Sequence, residues 1–129
     1  MDFGRTFVLG DNPNKIRLRD DLEPIFVEAK ARFHARPSMT GSELYRIVCD
    51  LARERGWEHG GIIAGHLVGE FPHERIANDK ITFYITEGNH QPISTRNAAG
   101  LQRHWILEIH LVDRERQIGG FYEQLLTIG

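Results

Sequence analysis

The two apolar runs Trp105-Ile106-Leu107-Glu108-Ile109-His110-Leu111-Val112 and Gly119 to Leu126 constrain this fold more than any other feature of the chain. The first is rich in β-branched and aliphatic residues and the second pairs Phe121-Tyr122 with Leu125-Leu126, and the charged stretch Asp113 to Gln117 separates them. That pattern predicts an antiparallel hairpin with a loop longer than the two-residue minimum. Each run also carries a carboxylate where a strand tolerates one poorly: Glu108 in the first and Glu123 in the second. A carboxylate among apolar side chains is costly unless it is paired or holds a metal. Side chains alternate along a strand, so Glu108 shares a face with Ile106, His110 and Val112, while Trp105, Leu107, Ile109 and Leu111 take the other. Glu123 shares its face with Phe121 and Leu125. In the right register Glu108 and Glu123 meet, and two unpaired carboxylates there repel. A divalent cation removes the repulsion; the alternative is a wet face on which both are solvated.

A second cluster lies upstream. Gly65-His66-Leu67-Val68-Gly69-Glu70-Phe71-Pro72-His73-Glu74 holds two histidines and two carboxylates in a stretch broken by glycine and proline. Gly65 and Gly69 permit backbone turns that other residues resist. The spacing differs from His-Glu-x-x-His, which sets two ligands on one helical face. A zinc finger needs cysteines that this chain lacks. Carboxylate-dominated ligation with one imidazole favours Mn²⁺ or Co²⁺, with Zn²⁺ possible. A lone histidine is otherwise more often a surface or hydrogen-bonded residue than a ligand.

The remaining elements follow from periodicity. Phe3 to Leu9 predicts a short strand. Asn12-Pro13 is a good helix start, and Leu22, Ile25, Phe26, Ala29 and Phe33 recur at helical spacing. Pro24 inside that pattern predicts a kink or a new segment, since it lacks the N–H donor. Thr40-Gly41-Ser42-Glu43 fits a capping box ahead of a helix that buries Leu44, Ile47, Val48, Leu51 and Ala52 and stops at Gly56. Gly60 to Gly65 is short and apolar, Ile81 to Ile85 predicts a strand, and Glu87 to Gln102 predicts a long loop. The order of strand, two helices and several strands implies an α+β fold over residues 1–129, one domain with two helices on a mostly antiparallel sheet.

Composition narrows the function classes. A net charge of −2 and a pI near 6.4 give no reason to expect nucleic acid or an anionic membrane as partner. Cys49, the only cysteine, rules out an internal disulfide and fits a reducing compartment. Its neighbours Val48 and Leu51 point to packing rather than nucleophilic work. No apolar run approaches the length of a membrane span, and no basic segment followed by an apolar one opens the chain. The expected location is cytoplasmic.

Four segments together carry a family resemblance. Gly65-His66 through His73-Glu74 resembles the Gly-His-Gly-Ile-Gly…His-Glu segment of the pita-bread metallopeptidases, which include methionine aminopeptidase, proline dipeptidase, aminopeptidase P and creatinase. Asp2-Phe3-Gly4-Arg5-Thr6-Phe7 resembles the family's Asp-x-x-Arg-Thr-Phe strand, Ile106-Leu107-Glu108 its Thr-Ile-Glu-Pro strand, and Phe121-Tyr122-Glu123 its last Glu-bearing strand. They occur in the family's order.

The resemblance implies half of a pita-bread fold, with Asp2, His66, Glu108 and Glu123 as metal ligands. It implies that Glu108 handles protons and that His73 binds substrate and steadies the tetrahedral intermediate. The implied cofactor is Mn, Co or Zn, and the implied substrate is a short peptide or small amide. Departures exist: Leu67 stands where the family usually has glycine and Ile109 where it often has proline. The chain begins at Met1, before which the family has a further metal-binding aspartate and the other half of its sheet. The expectation is therefore a metal-dependent peptidase of aminopeptidase or Xaa-Pro dipeptidase type, impaired by that loss, with a partial metal site and a tendency to self-associate. The alternative is a non-catalytic peptide- or protein-binding module derived from the same fold.

Overall fold

A computed structural model describes residues 5–8, 13–68 and 78–127. The expected α+β architecture is present: two helices lie on one side of an antiparallel sheet. The strands are β1 (Arg5–Val8), β2 (Glu58–His59), β3 (Ile63–Leu67), β4 (Tyr84–Thr86), β5 (Trp105–Asp113) and β6 (Ile118–Leu125). The helices are α1 (Pro13–Ala35) and α2 (Gly41–Glu54). The sheet runs β1-β6-β5-β3-β4, with β2 also paired to β5, and every described pairing is antiparallel.

The β5–β6 hairpin forms as its alternation implies. Residues from Ile106↔Leu125 to Asp113↔Ile118 pair without a break, and Gln117 takes the left-handed conformation (φ 56°) that turns the chain. Trp105, Leu107, Ile109 and Leu111 are buried against the helices. Each such side chain contributes roughly 1.5–3 kcal/mol by leaving water. From β6, Tyr122 joins them, its ring 5.1 Å from that of Phe26 on α1. Ile106, Glu108, His110, Val112, Phe121, Glu123 and Leu125 lie on the opposite side and are only half-buried.

α1 buries Leu18, Leu22, Ile25, Phe26, Ala29 and Phe33 along one stripe. It continues across Pro24, where the sequence predicts a kink or a fresh start. One backbone hydrogen bond is lost there, a cost of about 3 kcal/mol. Pro24 is exposed, and the stripe on both sides of it is held by core packing that outweighs the loss. α2 begins with the predicted capping box: the Glu43 N–H donates to Thr40 Oγ1 at 3.1 Å, and Glu43 Oε1 accepts from the Thr40 N–H at 3.2 Å. Leu44, Val48, Leu51 and Ala52 are buried, Ile47 packs against them in part, and Gly56 ends the turn at φ 83°.

Ile81 to Ile85 is not the strand its composition implies. Asn78–Phe83 forms a 3₁₀ turn, and only Tyr84–Thr86 is extended. β-propensity reports a fit to a half-buried pleated surface rather than a backbone preference, and the described pairing with β3 involves Tyr84–Thr86. From Glu87 to Gln102 the chain has no regular element, as expected, and is pinned by a bridge between Pro92 and Thr40. Among the described residues no helix is long and apolar enough to cross a membrane.

Candidate metal centre

Two of the residues singled out by sequence, Glu108 and Glu123, form one rung of the hairpin. β3 brings the third. His66 stands opposite Ile106, one rung along on the same face as Glu108. One ligand atom from each of His66, Glu108 and Glu123 falls within 4.8 Å of the other two. Among the described residues this is the one group of three such side chains. Asp2 and His73, the other two candidates, lie outside the described residues.

His66 reaches the cluster because β3 approaches β5 unusually closely. Gly65 sits at φ 151°, and a Cβ there would stand 2.1 Å from the Ile106 carbonyl oxygen and 2.7 Å from Ile85 Cδ1. Only glycine allows the two backbones to meet in this way. The glycine read as a turn-former is thus a spacer inside the sheet, and it sets where the next side chain points. Further upstream the strand bulges. Between Gly65↔Leu107 and His59↔Leu111 the β2–β3 side carries two more residues than β5, and Gly60 and Gly61 take up the slack.

His66 is buried, at 6% exposure. Its Nδ1 lies 2.9 Å from the Leu67 carbonyl oxygen. A carbonyl only accepts, so Nδ1 carries the hydrogen and Nε2 faces the carboxylates. Nε2 is 3.7 Å from Glu108 Oε2. That is too long for a good hydrogen bond. Glu108 Oε2 is buried and has no hydrogen-bond partner among the described residues. Burial raises the Glu108 carboxyl above its ordinary value; His66 opposes that, and the neighbouring Glu123 adds to it.

These features fit a divalent cation. Ligand histidines usually donate their second ring N–H to a carbonyl or carboxylate, which fixes tautomer and ring orientation; His66 already does so to Leu67. An orphaned carboxylate oxygen beside a second carboxylate is electrostatically unfavourable until a positive charge joins them. One imidazole and two carboxylates match Mn²⁺, Co²⁺ or Zn²⁺ in donor type. Three protein ligands leave positions open, as catalytic sites do.

Two histidines near the cluster were not candidates from sequence. His110 follows Glu108 by two residues and so shares its face; strand parity alone could have nominated it. Burial lowers its pKa. His59 gives no local signal, because its burial depends on the bulge at Gly60 and Gly61. Its Nε2–H donates to the Ile63 carbonyl at 2.6 Å, while Nδ1 has no hydrogen-bond partner among the described residues. Burial brings its pKa down to about 4, against the Ile63 carbonyl and with help from His110. Compared with known proteins, the chain matches no family model, no curated protein and no solved structure. The pita-bread resemblance therefore rests on the residues themselves; of the metal ligands it implies, His66, Glu108 and Glu123 are among the described residues.

Proposed function

We propose that the chain is a metal-dependent hydrolase of peptidase type, half of a pita-bread fold, acting on a short peptide or small amide. The observation that carries this reading is the His66–Glu108–Glu123 cluster, in which Glu108 Oε2 is buried without a hydrogen-bond partner among the described residues. His66 Nε2, Glu108 and Glu123 would hold the ion, with Asp2 as a fourth ligand by resemblance. A divalent ion bound there lowers the pKa of water and polarises a carbonyl. The Leu67 carbonyl keeps the proton on His66 Nδ1, so the imidazole lone pair stays aimed into the site. By resemblance Glu108 is also the group that takes and returns a proton. By resemblance His73 binds substrate and donates a hydrogen bond where negative charge develops.

The same reading includes self-association, most simply as a two-fold dimer. The exposed Ile62 and Val68 at either end of β3 support it. Light scattering at micromolar concentration checks this; a monomer there rejects it.

Calorimetric titration with Mn²⁺, Co²⁺ and Zn²⁺ tests the central claim, alongside an assay on dipeptides and Xaa-Pro peptides with added Mn²⁺. The expected result is uptake that is weak in the wild type and lost in Glu108→Gln and His66→Ala, together with slow cleavage lost in the same variants. Circular dichroism confirms that the variants fold. Uptake unchanged by Glu108→Gln would reject the site. Cleavage that persists after chelation would reject the mechanism. Metal uptake without any cleavage would favour the binding module instead.

A further inference from the structure

We propose that His110 and Phe121 form the subsite for the side chain next to the bond being cut, and that they select an apolar or aromatic side chain over glycine. This rests on the hydrolase reading above. His110↔Phe121 is the next same-face rung to Glu108↔Glu123. Rungs on one face are separated by two residues, about 7 Å along the strand. That matches the reach from a peptide carbonyl held at the carboxylates to the far end of its own side chain.

The rung has the composition of a subsite rather than of a wet surface. The His110 and Phe121 rings are 6.3 Å apart and inclined at 69°, and His59 closes the other flank, 6.4 Å from His110 at 87°. Edge-to-face rings at these distances make a stable apolar shelf. Both residues are half-buried, and Tyr45 of α2 stands against His59, its ring 5.6 Å away. His59 is tied to Ile63, whereas the ring nitrogens of His110 make no hydrogen bond among the described residues. They are available to a backbone N–H or carbonyl of the substrate. The only carboxylates on adjoining rungs of the hairpin face are the proposed ligands Glu108 and Glu123, so an acidic side chain is disfavoured by charge.

Two measurements on the full chain separate this inference from the metal reading. In the first, metal-free protein is titrated with L-leucinamide, L-phenylalaninamide and glycinamide while the His110 and Phe121 side-chain resonances are followed. The two apolar amides should shift both residues and glycinamide should not, and Phe121→Ala should abolish the shifts. In the second, Mn²⁺-loaded protein is titrated with leucine hydroxamate and glycine hydroxamate. Wild type should prefer the leucine compound by roughly tenfold or more, as burial of such a side chain gives. Phe121→Ala and His110→Ala should bring the two within about threefold while the Mn²⁺ affinity stays unchanged. Amide shifts without Mn²⁺ uptake keep the shelf and remove the metal. Mn²⁺ uptake with equal hydroxamate affinities, or apolar amides that move neither ring, overturns the shelf.

Discussion

The two faces of the sheet follow opposite rules. Toward α1 and α2, β5 presents Trp105, Leu107, Ile109 and Leu111, all buried. Even the one polar atom there is satisfied, since Trp105 Nε1–H donates to the Ile93 carbonyl at 3.1 Å. On the other face the same strand presents Glu108, whose buried Oε2 has no hydrogen-bond partner among the described residues. One side is built for stability. The other carries unfavourable polar groups that a fold optimised for stability alone would have replaced. Perturbing the two faces should therefore change stability in opposite directions.

The largest effect is expected on the helix side. Trp105→Ala should cost about 3–5 kcal/mol in urea unfolding, because a fully buried indole leaves a cavity and an orphaned Ile93 carbonyl. A loss under about 1 kcal/mol would mean that this face is not the core.

Acid should act from the edge between the faces. His59 is held neutral in the fold, with its pKa near 4 against an ordinary 6.5. Below the ordinary value the unfolded chain takes up a proton that the folded chain refuses. Stability is therefore complete above pH 6.5 and falls as pH drops toward 4. The difference is worth on the order of 3 kcal/mol over that window. Unfolding midpoints measured from pH 7 to pH 4.5 should show the decline, and His59→Gln should flatten it. Equal slopes in the two proteins would show that His59 titrates freely.

Gly65→Ala probes the seam where β3 meets β5. The added methyl cannot share space with the Ile106 carbonyl at 2.1 Å, so β3 must shift. About 2 kcal/mol of stability should be lost, and His66 should leave the cluster with it. Metal uptake that survived the substitution would show that His66 is not a ligand.

Much of this contrast was legible in the sequence. Strand parity in Trp105 to Val112 placed Glu108 and His110 opposite the apolar set, and β-forming runs around a charged stretch gave the hairpin. Local chemistry sufficed there because both strands of the pair are local. The capping box at Thr40 was legible for the same reason. What depended on distant neighbours was not. Nothing near Pro24 reveals that the buried stripe holds the helix together through it. Nothing in Ile81 to Ile85 says that Asn78–Phe83 turns as a 3₁₀ helix and that Tyr84–Thr86 is the part that pairs with β3. Gly65 looked like a turn because the approach of Ile106 belongs to a strand forty residues later in the chain.

The smallest effect is the most diagnostic, because its sign is reversed. Glu108→Gln removes a charge that the fold disfavours and supplies an amide that can donate to Glu123. The metal-free variant should be more stable than wild type by about 1 kcal/mol near neutral pH, a discounted figure because some water still reaches residue 108. For a domain of this size that is a rise of roughly 3–6 °C in melting temperature. The pH dependence fixes the cause. With the Glu108 pKa raised, the fold prefers the protonated carboxyl, so wild-type stability falls as pH climbs through that raised value. The advantage of Gln should therefore be small at acid pH and full only above that raised value. Added Mn²⁺ should reverse the order: wild type gains about 2.7 kcal/mol at a hundredfold excess over its Kd, and the variant gains nothing. Differential scanning calorimetry with and without Mn²⁺ across pH 4–8 reads both effects. If the metal-free variant is less stable at neutral pH, Glu108 is a satisfied structural residue and the two faces of the sheet are alike.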